Sequence, residues 1–221
     1  MSLLVKICGI TNQNDAMLAA EAGANAIGFN FYSQSPRYLS FDSAHRIACI
    51  LPDSVLKVGV FVEPSEDDLK LAIDQVPLDV IQLHGRHVPS IAHRTWRALS
   101  AEHANPSESL VAEAILLDAH TPHYGGSGQT FDWKIAARFW QPIILAGGLD
   151  ASNVAEAIAA ARPWGVDACS RLESSPGVKD PVKLRSFVEA AHAAIPTDSE
   201  PRPAASGLHD SLPARSQQVL S

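Results

Sequence analysis

The chain has 221 residues, 46% hydrophobic and 19% charged, a balance that suits a packed core and excludes a wholly disordered chain. Its formal net charge of −7 makes most of the surface repel nucleic acid and anionic membranes, while leaving room for a local basic site that binds a phosphate. Three cysteines (Cys8, Cys49, Cys169) with no CxxC spacing argue against a disulfide framework or a cysteine zinc site, and no apolar run reaches the ~20 residues needed to cross a bilayer. Lys6 interrupts the first apolar stretch, so it lacks the apolar centre of a signal peptide, and the expected address is the cytoplasm.

In chain order, short apolar runs predict strands over 4–9, 26–31, 56–62, 80–84, 95–99, 114–118, 142–146 and 165–170. Several are apolar without alternation, the pattern of parallel strands covered on both faces. Helical stripes lie between them: Leu69, Ala72, Ile73 and Val76, then Val154, Ala157, Ile158 and Ala161, then Leu184, Phe187, Val188 and Ala191. Ser65 three residues before Asp68, and Asp180 followed by Pro181, are helix-start signals. The helices expected after the fourth and fifth strands are poorly marked: Pro89 interrupts one, and the other has only Asn105-Pro106 as a start signal. Eight strands, each followed by a helix, predict an α/β fold, a single (β/α)8 TIM barrel over 1–195; an open doubly wound sheet is the alternative. The Pro-, Ser- and Ala-rich segment 196–221 has no aromatic residue and is expected to be a flexible tail.

Barrel active sites lie where strands end at their C-terminal side. The first strand ends Lys6-Ile7-Cys8-Gly9, and alternation directs Lys6 and Cys8 inward. Cys8 is either a small buried residue or a nucleophile or base. After the second strand, Arg37 follows Pro36 and offers a fork for a carboxylate or phosphate, unless it is merely solvated. Gln82 and His84 share one face at the end of the fourth strand. Asp118 ends the sixth after three apolar residues; burial there predicts a protonated acid, and the alternative is a loop acceptor. The glycine-rich loop 121–133 suggests a flap, and its likeness to a P-loop fails because Gln129 stands where the lysine belongs. Gly147 and Gly148 after the seventh strand, with Ser170 and Arg171 after the eighth, mark either helix-capping turns or a phosphate cradle.

Taken together, Val5-Lys-Ile-Cys-Gly-Ile-Thr11, Gly28-Phe-Asn-Phe-Tyr32, Ser35-Pro-Arg-Tyr38, Gln82-Leu-His-Gly85, Leu116-Leu-Asp118, the run from Tyr124 to Trp133 and Pro176-Gly-Val-Lys-Asp180 resemble phosphoribosylanthranilate isomerases. The resemblance spans Val5 to about Ala194. It implies a cofactor-free Amadori rearrangement in tryptophan biosynthesis, with a small phosphorylated molecule as the partner. It implies Cys8 as general base, Asp118 as general acid and Arg37 as the holder of the anthranilate carboxylate. One departure touches the site. The family pattern Ser-Ser-Gly-Val-Glu is here Cys169-Ser170-Arg171-Leu172-Glu173, so an arginine replaces a glycine expected near the phosphate.

Rival barrels fit less well. A related isomerase of histidine biosynthesis would carry a carboxylate where Cys8 stands. A metal-dependent epimerase would need clustered ligands, and only His84 and Asp118 qualify. A catalytically dead ligand-binding barrel would not need both Cys8 and Asp118. The sequence does not choose between a monomer and a homodimer.

Overall fold

Along each strand, alternate side chains face the barrel interior and the surrounding helices, so strand phase decides which residues can meet. A computed structural model describes residues 3–86, 89–106, 111–119 and 131–194. Eight parallel strands close into a barrel in sequence order. They are β1 (Leu4–Cys8), β2 (Ala26–Asn30), β3 (Leu56–Val62), β4 (Val80–His84), β5 (Thr95–Ser100), β6 (Ala114–Asp118), β7 (Ile143–Leu145) and β8 (Gly165–Ala168). Each overlaps its expected run. β1 pairs with β2 on one side and β8 on the other, so Lys6 stands opposite both Ala26 and Asp167.

Five α-helices are described: α1 (Gln13–Ala22), α2 (Phe41–Ala48), α3 (Glu66–Gln75), α4 (Val154–Ala161) and α5 (Pro181–Ala193). Local chemistry sets their starts. Asn12 accepts from the Asp15 N–H at α1, Ser65 and Asp68 form a reciprocal capping box at α3, and Asp180 accepts from the Val182 and Lys183 N–H groups ahead of α5. The α4 and α5 stripes are buried in full, and α3 buries Leu69 and Ala72. They share one core with the outward strand residues Val5, Ile7, Ile27, Phe29, Ile81, Leu117 and Val166.

The structure departs from the expected pattern in two places. Among the described residues no helix lies between β4 and β5 or between β5 and β6, and only a 3₁₀ turn (Trp133–Arg138) precedes β7. Pro89 sits in the first of these connections, where a proline inside a helix removes a donor and clashes with the preceding turn, and the Asn105-Pro106 start signal in the second opens no helix among the described residues. In the first, Ile91 packs on the core and the His93 ring bonds to the Leu78 carbonyl at 3.1 Å, which does part of a helix's covering work. The second departure is an antiparallel hairpin between β8 and α5, of β9 (Glu173–Ser175) and β10 (Val178–Lys179). The tail expected over 196–221 lies outside the described residues, as does the flap expected over 121–133 apart from its last three.

The interior has two storeys. At the N-terminal end of the strands Leu4, Ala26, Val58, Val80, Trp96, Ala114, Leu116 and Ile144 form one apolar plug, and Trp164 meets Trp96 edge-on at 5.8 Å. At the C-terminal end the same strands carry polar groups.

Candidate active site

The second storey is founded on a buried ion pair. Lys6 is fully buried on β1, and its Nζ donates to Asp167 Oδ1 of β8 at 2.8 Å. Burial alone would discharge the lysine; Asp167, helped by Cys8, more than offsets it and holds the ammonium firmly charged. Cys8 stands one strand period above. A hydrogen bond from Cys169 holds its thiol below the ordinary range, against the effect of burial, and the Lys6 charge adds to this. Cys169 moves the opposite way: its bond to Cys8 and its own burial keep it protonated.

Asp118, across the mouth at the end of β6, is pushed up to about 7, first by burial and then by the charge of Asp167. One buried carboxylate thus holds the lysine charged and adds to the burial that raises the second carboxyl. Gly147 makes room for Asp118. With φ +83°, it holds a conformation that glycine tolerates, and a Cβ there would come within 2.6 Å of the Ala119 nitrogen and 2.7 Å of Asp118 Oδ1. On β4, burial, then Lys6 and Arg97, lower His84 to about 4, so it is neutral and its Nε2 accepts from Gln82 Nε2 at 2.9 Å. Gln82 Oε1 is buried and has no partner among the described residues.

Arg37 enters the mouth from the loop after β2. Its fork is already engaged: Nε and Nη2 bond to Glu173 at 2.8 and 2.7 Å, and Lys179 Nζ reaches the same carboxylate at 3.0 Å. Arg171 pairs with Asp150 Oδ2 at 3.1 Å. Sequence reasoning missed Asp167, Glu173 and Lys179 as site residues. Asp167 carried a signal, an acid inside an apolar run, but its partner becomes visible only once β8 closes on β1.

All nine residues singled out from the sequence line one cavity of about 620 Å³. They are Cys8, Arg37, Gln82, His84 and Asp118, with Gly147, Gly148, Ser170 and Arg171 from the loops after β7 and β8. That size suits a small organic phosphate ligand. The chemistry available is a thiol held below its ordinary range and a carboxyl held up at about 7, facing one space, with Arg37 and Arg171 among the residues that line it.

A family model described as N-(5'phosphoribosyl)anthranilate (PRA) isomerase matches residues 5–190. The chain belongs to that family. An N-(5'-phosphoribosyl)anthranilate isomerase of Solibacter usitatus is 47% identical over 201 residues, covering 87% of this chain and 99% of its own. The crystal structure of phosphoribosyl anthranilate isomerase from Thermotoga maritima is 37% identical with a TM-score of 0.76, over 86% of this chain and 99% of that one. A further isomerase structure, in complex with reduced 1-(o-carboxyphenylamino)-1-deoxyribulose 5-phosphate, is 33% identical with a TM-score of 0.73, again over 86% and 99%. Family and fold therefore agree with the resemblance read from the motifs.

Proposed function

We propose that Cys8 and Asp118 are the base and the acid with which this member of the family isomerises N-(5'-phosphoribosyl)anthranilate in tryptophan biosynthesis. The observation that carries this reading is their opposite protonation in one cavity: the thiol is held low and the carboxyl is held up at about 7. Opening the sugar ring needs a proton on the ring oxygen, which neutral Asp118 supplies. The ring C1–O bond breaks, and the nitrogen lone pair forms an iminium. That iminium acidifies the proton on C2, and the Cys8 thiolate removes it. The electrons of the C–H bond flow into the iminium, giving an enolamine that becomes the ketone product. The iminium is itself the electron sink for this step.

The two anionic ends of the substrate need separate holders. We assign the phosphate to Gly147, Gly148, Ser170 and Arg171, which line the cavity from the loops after β7 and β8, where barrels commonly build a phosphate site. The carboxylate falls to Arg37, through Nη1, the donor that its pair with Glu173 does not engage. Neutral His84 and the partnerless Gln82 Oε1 offer uncharged hydrogen bonds from β4. Three free thiols support a reducing, cytoplasmic setting.

Steady-state kinetics on Cys8→Ala and Asp118→Asn test the assignment. Each should lower turnover by roughly 10²–10⁴-fold, the usual range for a lost base or acid, with the fold retained. Near-normal turnover in either variant would remove that residue from the mechanism.

A further inference from the structure

Cys169 is a nucleophile in the cavity that the proposed chemistry leaves unused. It stands where the family pattern has serine, directly after β8. Ile7 of β1 pairs with Ala168, the last residue of β8, so Cys8 and Cys169 each follow that paired position, Cys8 at the end of its strand and Cys169 just past the end of its own. Adjacent strands run about 4.8 Å apart, inside the roughly 4.4–6.8 Å that a disulfide spans between Cα atoms. Both side chains face the same cavity. Gly9 permits this approach, because a Cβ there would stand 2.8 Å from Cys169 Sγ and 2.6 Å from the Arg37 stem.

The surroundings favour thiolate chemistry at the pair. Lys6 faces it from β1, Arg37 from the loop after β2, and Lys179 from β10 with its Nζ 3.9 Å from Cys169 Sγ. Asp167, Asp118 and Glu173 are the facing acids, and Glu173 Oε1 lies 3.9 Å from Cys169 Sγ. Of the two sulfurs, Cys8 is the nucleophile and Cys169 remains a thiol ready to attack it.

We propose that Cys8 and Cys169 form a reversible disulfide that closes the active site, so that a hydroperoxide switches this enzyme off and a dithiol switches it on. The switching effect rests on the reading of Cys8 as the base. In the first step the Cys8 thiolate attacks the peroxide, the O–O bond breaks, and Cys8 becomes a sulfenic acid as the peroxide is reduced to an alcohol or water. In the second, the Cys169 sulfur displaces hydroxide from Cys8; its proton leaves with the hydroxide as water, and the S–S bond forms. Two electrons have passed from the sulfurs to the peroxide. A dithiol returns them and is itself oxidised.

The test uses the full chain carrying Cys49→Ser, because Cys49 is exposed and lies outside the cavity. Trypsin leaves Cys8 on residues 7–37 and Cys169 on residues 139–171, since the Arg162–Pro163 bond resists cleavage. After stoichiometric hydrogen peroxide, the mass spectrum should show these two peptides cross-linked. Turnover should fall about 10²-fold or more in step with the cross-link, as for a missing base. Dithiothreitol should restore it. With Cys169→Ser added, each measurement being referred to that variant's own untreated rate, no cross-link should form. Excess peroxide should then carry Cys8 on to the sulfinic acid, a loss dithiothreitol does not reverse. Inactivation without the cross-link, or full recovery of the Cys169→Ser form on reduction, would overturn the proposal. Full turnover in the cross-linked enzyme, or in Cys8→Ala, would instead overturn the reading of Cys8 as the base, and the switch with it.

Discussion

The same eight strands build two interiors that obey different rules. Around Trp96 the barrel is filled by apolar side chains, and burial there stabilises in proportion to area removed from water. Two to four residues further along their strands stand Lys6, Cys8, Gln82, His84, Asp118 and Asp167. Burial of these groups costs stability and is offset only by pairing. Thus the lower storey tolerates modest changes of size and the upper one depends on a balance of charge. The contrast teaches that the site is tuned by three carboxyl and ammonium groups acting together, of which only Asp118 meets the substrate in the proposed mechanism.

The sharpest break in the comparison comes from removing a charge. Lys6→Met leaves Asp167 buried and unpaired, and the unfolding free energy should fall by about 3–5 kcal/mol in a urea titration. The double variant Lys6→Met/Asp167→Leu should recover most of that stability. Its turnover should stay low, because Cys8 has lost its cation and Asp118 the neighbour that keeps it protonated. Recovery of both together would mean that the pair serves folding alone.

Next in size is Arg37→Ala, which should weaken substrate binding by about 1.5–3 kcal/mol, the worth of one charged hydrogen bond. An analogue without the carboxylate should bind wild type and variant alike. Equal weakening of both ligands would deny Arg37 the carboxylate.

The pH dependence sharpens the contrast at an intermediate scale. On the alkaline side kcat/KM should fall about tenfold per unit above pH 7, as Asp118 gives up its proton; the acid limb, set by Cys8, should lie below the ordinary thiol range. The same shift acts on stability. The folded state holds the Asp118 proton more tightly than the unfolded chain, so stability is lost as pH rises from the ordinary carboxyl range through about 7. Asp118→Asn removes that loss, and its melting temperature at pH 8 should equal or exceed wild type while its turnover collapses. A lower melting temperature would show that the carboxyl is held by compensating bonds.

The smallest effect belongs to the lower storey. Ile144→Val should cost about 0.5–1.5 kcal/mol of stability and leave turnover unchanged. A change in turnover would mean that the plug and the mouth are mechanically coupled.

Much of this architecture is legible in the sequence because strand phase is local. The inward pairs Lys6/Cys8 and Gln82/His84, the terminal Asp118 and the capped starts of α3 and α5 all follow from neighbours a few residues apart. The unread part is long-range. Lys6 and Asp167 are 161 residues apart and Arg37 and Glu173 136 apart, so their pairing depends on barrel closure and on the β9–β10 hairpin. After β4 the sequence carries a local warning in Pro89, whereas Asn105-Pro106 after β5 reads as a start signal that no helix among the described residues follows. Arg37 shows the same limit: the residue type indicates a carboxylate partner, and in this structure the first such partner is Glu173 of the chain itself.

The seam between the first and last strands also ties the moment of activity to the moment of completion. A ribosome delivers β1 early and β8 late. Until β8 docks, Lys6 has water for company instead of Asp167, Cys8 is an ordinary thiol and Asp118 an ordinary carboxylate. A nascent or truncated chain can therefore hold both the proposed acid and the proposed base and still be chemically quiet. Catalysis in this molecule is a report that the circle has closed.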